Sequence, residues 1–152
     1  MNPTPIHDTF TIERQFKANR SRAFAAWSQV DLKAKWFVGP AGKWSLVKRE
    51  MDFVPNGREV VIGEFDGHGR SHFDAVYLDI VDQENIVYAY RMYVNDELLS
   101  ISLVTVSFED NGPGTKMSFT EQGVYFATQE AALSRLEGSK MLIASIAETL
   151  GE

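Results

Sequence analysis

The 152-residue chain has no cysteine, which excludes disulfides, thiolate nucleophiles and thiolate metal sites. It is also short of positive charge: 15 lysine and arginine side chains stand against 21 aspartates and glutamates, for a net charge of −6. That deficit argues against nucleic acid or an anionic membrane as partner, because both bind a net cationic face. Proline is sparse, and Pro3 and Pro5 fall in residues 1–7, which read as an irregular arm. There is no long hydrophobic run. The stretch from Leu98 to Val106 is broken by Ser100, Ser102 and Thr105 and is far shorter than a membrane span. Residues 1–20 are charged throughout without an apolar block, so no signal peptide is read there and cytoplasmic residence is the expectation. What remains is a globular composition, 44% hydrophobic, 12% aromatic and 24% charged, expected to form one domain over residues 8–150.

The pattern along the chain predicts a particular order of elements. Residues 8–18 alternate, with Phe10, Ile12, Arg14 and Phe16 on one side and Thr11, Glu13, Gln15 and Lys17 on the other, which predicts a strand with one wet face. Asn19 or Ser21 is expected to cap a short helix carrying Ala23, Phe24 and Trp27, and Asp31 a second one ending near Phe37, before Gly39-Pro40. Period-two segments at 44–54, 58–66, 71–81, 86–95, 98–109 and 115–124 follow, separated by turn chemistry such as Asn56-Gly57 and Asn95-Asp96. Such short connections require antiparallel pairing. Thr128 then opens a long helix to about residue 150. Its inner stripe is Ala132, Leu136, Ser139, Ile143, Ile146 and Leu150, with Leu133, Leu142 and Ala147 beside it. The fold class is α+β: a seven-stranded curved antiparallel sheet wrapped round a long C-terminal helix, with two short helices after the first strand.

That order carries a resemblance. Trp36-Phe37-x-Gly39-Pro40, the run from Gly114 to Gly123 containing Phe119-Thr120-Glu121-Gln122-Gly123, and a following helix with Gly138 are its most specific pieces. Glu50 to Phe53, Asp79 to Val81, Ile86 to Met92 and Ser100 to Val106 extend it over nearly the whole chain. The chain resembles the START-like (SRPBCC, Bet v-like) helix-grip superfamily, in the bacterial branch related to the C-terminal domain of the activator of the heat-shock ATPase chaperone. The resemblance implies a cavity between the terminal helix and the sheet. Its expected lining is Trp36, Phe37, Trp44, Tyr88, Tyr90, Met92, Ser102, Val104, Phe119, Glu121, Ser139, Leu142 and Ile143. Two departures stand out: Val124 to Thr128 replaces a more acidic segment, and Ser139 occupies the position after the helix glycine where many relatives have tryptophan.

Individual residues carry competing readings. Glu121 shares parity with Met117, Phe119 and Gly123, so a carboxylate points where apolar side chains point and needs a partner or a raised pKa. It is the candidate acid–base or anchoring group; a pair with Arg91 or another base is the plainer account. Gly138 costs helix stability, and close packing on the sheet is preferred over room for a ligand as its compensation. Tyr88, Tyr90 and Met92 share an apolar face, where the hydroxyls either orient a ligand or satisfy the core. Trp36, Phe37 and Trp44 flank the Gly39-Pro40 turn as a cavity entrance or a core plug. Lys33, Lys35, Lys43, Lys48 and Arg49 read as a solvated basic face. His68 and His72, near Asp66 and Asp74, have helical metal spacing but sit around a glycine turn, so no metal site is expected. Gly67-x-Gly69 lacks the rest of a dinucleotide fingerprint, and no phosphate loop or nucleophile elbow occurs.

The leading expectation is non-covalent binding of a small hydrophobic or amphipathic molecule, without cofactor, oriented by Glu121, Tyr90 and Ser102. An enzyme of the cyclase or dehydratase kind using Glu121 is the second reading. The resemblance implies a third, a chaperone-accessory interaction module. Leu99, Ile101 and Leu103 leave a homodimer open.

Overall fold

The computed structural model of the chain describes residues 4–67 and 69–152. These form strand β1 (Ile6–Phe16), helices α1 (Arg20–Ser28) and α2 (Val30–Trp36), and strands β2 (Trp44–Met51), β3 (Arg58–Phe65), β4 (Gly69–Val81), β5 (Asn85–Val94), β6 (Glu97–Asn111) and β7 (Gly114–Tyr125). Helix α3 (Gln129–Thr149) follows. The strands make one antiparallel sheet in the order β1-β7-β6-β5-β4-β3-β2. Six of them are a meander, and β1 closes the far edge by pairing with β7 from Ile6↔Tyr125 to Phe16↔Thr115. Helices α1 and α2 therefore carry the chain from one edge of the sheet to the other. Strand β1 starts at Ile6, earlier than expected, so the irregular arm is shorter; residues 1–3 lie outside the described residues.

Local chemistry accounts for the turns and ends. Asn95 and Asp96 take φ of 50° and 66°, as a two-residue hairpin between β5 and β6 requires, and both residue types tolerate that region. Asn19 caps α1 by accepting from the Arg22 amide at 3.0 Å. The expected Asp31 cap is corrected: α2 begins at Val30 behind Gln29, and Asp31 sits inside the first turn, where its charge opposes the helix dipole favourably. Thr128 holds the cap position of α3 without a side-chain hydrogen bond. Register shifts at Leu46/Lys48, Tyr77/Asp79 and Met92/Tyr93 bend the sheet.

The concave face buries Phe10, Ile12 and Phe16 of β1, Ile86, Tyr88 and Tyr90 of β5, Val104, Val106 and Phe108 of β6, and Met117 and Phe119 of β7. Helix α3 covers part of this face with Ala132, Ile143 and Ile146, and Leu150 just beyond its end is buried too. The rest of its expected stripe is looser. Leu136 and Ser139 are half-buried, and Leu133 points to solvent. The stripe thus touches the sheet side at both ends, through Ala132 near the N-terminus and Ile143 and Ile146 further on, and is looser between them at Leu136 and Ser139. On the convex face, Ile101 and Leu103 are exposed.

Candidate functional site

Between α3 and the sheet lies a cavity of about 680 Å³, bordered on the helix side by residues from Ser134 to Glu148. Its floor is aromatic: Phe73, Tyr88, Tyr90 and Phe119 from the strands meet Trp27 and Trp36 from the short helices. These rings lock one another, with Trp27 and Trp36 centroids 4.7 Å apart, Phe73 and Tyr90 4.7 Å apart, and Phe37 and Phe73 4.9 Å apart. Val38 to Ala41 form one lip, and Ser134, Gly138, Ser139, Met141 and Leu142 of α3 form the other.

Gly138 overturns the preferred packing account. A Cβ added there meets nothing within 4 Å. The glycine does not let the helix approach the sheet; it is exposed at the cavity's edge, where a side chain would enter open space. The close approach lies elsewhere, at Gly39 and Gly63, where a Cβ on either would run into the Trp44 ring.

Among the expected lining residues, Trp36, Phe37, Tyr88, Tyr90, Met92, Phe119, Glu121, Ser139, Leu142 and Ile143 border the cavity. Three do not. Trp44 lies across Gly39 and Gly63 and braces the Gly39-Pro40 lip from behind. Val104 is fully buried in the sheet's packing. Ser102 sits behind Glu121 and donates to its Oε2 at 2.8 Å.

Glu121 is the centre of the cavity's polar end. Its Oε2 accepts from the Tyr90 hydroxyl at 2.7 Å, from Ser102, and from Arg135 Nη1 at 3.0 Å. Arg135 Nη1 also donates to the Tyr90 hydroxyl at 2.6 Å, and Nη2 to Ser100 Oγ at 2.8 Å. Arg135, not Arg91, is therefore the partner that a buried carboxylate requires. Sequence reading missed it, although Arg135 lies four residues before Ser139 and so projects from the same side of α3. Burial, reinforced by the Glu121 charge, pushes the Tyr90 hydroxyl well above the ordinary tyrosine pKa. Burial does the same to Tyr88.

A second charged cluster lies behind the aromatic floor. Lys33 Nζ donates to Glu59 Oε1 at 2.6 Å, and the Tyr77 hydroxyl donates to the same oxygen at 2.6 Å. The Lys33 ammonium is 4.9 Å from the Phe37 ring centroid, 5.4 Å from Trp27, 5.8 Å from Tyr88 and 5.9 Å from Trp36. Every one of those rings also borders the cavity. The solvated basic face thus loses Lys33, which is buried, and Arg49, which is half-buried with Nη2 on the Phe37 carbonyl at 2.8 Å; Lys43 and Lys48 are exposed. Lys33 has Trp36 and Phe37 three and four residues on, a spacing that places all three on one helix face. Burial lowers the Lys33 pKa, with the Glu59 charge acting against that shift. His68 lies outside the described residues. His72 packs beside Tyr93 at 5.4 Å, and no group of three metal-ligating side chains converges among the described residues.

Comparison with known proteins places this architecture. The profile described as "Activator of Hsp90 ATPase homolog 1-like protein" matches residues 17–151. The chain belongs to that family. Solved structures of the family's helix-grip shape superpose closely. An uncharacterized protein from Rhizobium leguminosarum shares 36% identity over 97% of both chains with a TM-score of 0.91. Mll3558 from Rhizobium loti shares 34% identity over 96% of this chain and 99% of its own, with a TM-score of 0.88. A protein of unknown function, SA2116 from Staphylococcus aureus, shares the fold at 16% identity, a TM-score of 0.80 and coverage of 97% and 95%. No curated protein matches the chain. No helix among the described residues is long and apolar enough to cross a membrane.

Proposed function

We propose that this member of the activator of Hsp90 ATPase homolog 1-like family binds a small hydrophobic or amphipathic molecule in the space between α3 and the sheet. The observation that carries the reading is the cavity of about 680 Å³, bordered by interlocked aromatic rings with its polar groups gathered round Glu121. Ligand sites are commonly of about 300–1,000 Å³, apolar with a few placed polar groups. Burial of ligand carbon supplies the affinity, at about 25 cal/mol per Å² before the cost of association. The floor is pre-ordered by ring-on-ring contacts, so little side-chain entropy is lost when a ligand arrives.

The neutral fluorophore N-phenyl-1-naphthylamine tests this directly. Its emission rises and saturates with the native protein. It does not do so with Gly138→Phe, which places a ring into the open space while the helix remains intact by circular dichroism. Equal binding by the native protein and the variant, or none by either, removes the reading.

A further inference from the structure

The polar end of the cavity has a charge balance that selects among ligands. Arg135 and Glu121 border the cavity as a pair of opposite charges in contact at 3.0 Å. The other charged side chains at its edge, Lys35 and Glu148, again contribute one of each sign. A carboxylate entering the cavity leaves water to face Glu121 as well as Arg135, and an ammonium faces Arg135 as well as Glu121. Neither finds an uncompensated counter-charge, so each loses hydration without full repayment.

The hydrogen-bonding capacity left over is of both kinds. All three bonds to Glu121 fall on Oε2, and Oε1 accepts none from the described residues. Arg135 makes three bonds within the protein, whereas a guanidinium carries five N–H groups. With both Nη1 hydrogens used, the spare donors lie on Nε and Nη2, so the one ion pair that borders the aromatic cavity keeps a free acceptor and free donors. A neutral group that both donates and accepts fits this pair.

Resting on the binding function proposed above, we infer that the ligand is an uncharged apolar molecule ending in a hydroxyl or carboxamide, whose O–H or N–H donates to Glu121 Oε1 while its oxygen accepts from Arg135. Acids and amines of the same skeleton are excluded by the internal ion pair, which acts as a neutrality filter.

A matched set tests the filter: biphenyl-4-methanol, biphenyl-4-carboxylate and biphenyl-4-methylamine, titrated calorimetrically into the native protein at neutral pH. The alcohol binds about tenfold or more tightly than either ion. Glu121→Gln leaves Arg135 uncompensated and moves the preference to the carboxylate. Arg135→Met moves it to the amine, and Arg135→Lys, which keeps the charge, retains the native order. A native protein that prefers either ion overturns the inference, whether or not the variants fold. Variants that fold and leave the order unmoved overturn it too. Binding of all three with the wrong ranking leaves the cavity function standing, whereas binding of none, together with a silent N-phenyl-1-naphthylamine titration, removes both.

Discussion

Two clusters of one cation, one carboxylate and one tyrosine lie on opposite sides of the same aromatic floor. In Lys33–Glu59–Tyr77 the side-chain exposures of the ion pair are 1% and 2%; in Arg135–Glu121–Tyr90 the carboxylate is as deep but Arg135 is 12% exposed and borders the cavity. The first uses a compact ammonium, held by a carboxylate and four rings. The second uses a planar fork that reaches Tyr90, Glu121 and Ser100 at once and still has donors to spare. The sealed cluster can only hold the wall together. The open one faces the cavity. The same three kinds of group are sealed in one place and, at the other, border a cavity where the proposed binding function would use them.

The largest expected effect comes from alkaline pH, which strains both clusters together. Tyr77, Tyr88 and Tyr90 all have pKa values raised, chiefly by burial. Their folded values lie above the unfolded value of about 10, so the stability they contribute is fully present below that pH and is lost as pH rises beyond it. Each removes about 1.4 kcal/mol per pH unit above that point. Tyrosinate absorbance followed alongside circular dichroism should show these hydroxyls ionising only as the fold is lost. Ordinary titration in a still-folded protein would contradict their burial.

Next in size is Lys33→Met, which strands Glu59 in the interior and should cost about 3–5 kcal/mol in urea unfolding. Lys33→Met with Glu59→Leu should recover most of that loss, because the isolated charge goes with its partner. No recovery in the double variant would mean the cluster acts through packing alone. Arg135→Met should cost less, about 1–3 kcal/mol, since Glu121 keeps Tyr90 and Ser102 as donors. An Arg135 loss exceeding that of Lys33 would erase the distinction between the sealed and open clusters. The smallest effect has the opposite sign. Gly138→Ala should stabilise by about 1 kcal/mol, because the new methyl meets only open space and a helix-interior glycine is removed. Destabilisation there would show that the glycine is packed after all.

The strands were readable because the side-chain period of a half-buried sheet is written directly as alternation. Turn residues such as Asn95-Asp96 marked where it stopped. Glu121 was found by the same parity, and so were Tyr88 and Tyr90. Its partner was not, because Arg135 comes from α3, and no local pattern states which helix turn crosses which strand. Lys33 and Glu59 were missed for a different reason. A lysine near Lys35 looks solvated by composition, and only the proximity of Trp36 and Phe37 on the same face hints otherwise. Gly138 showed that something unusual happens at its turn, but contact or open space depends on which way that turn of α3 faces, and it faces outward at the cavity's edge.

The pairing of β1 with β7 has a bearing on how the molecule comes into being. During synthesis β1 is made before the other six strands yet has no neighbour in the sheet until β7, the last of them, has been made. A connection of that length must close before it is rewarded, which slows folding and leaves Phe10, Ile12 and Phe16 uncovered meanwhile. The nascent chain therefore passes through a stage in which the remaining strands can zip up in order while the first waits.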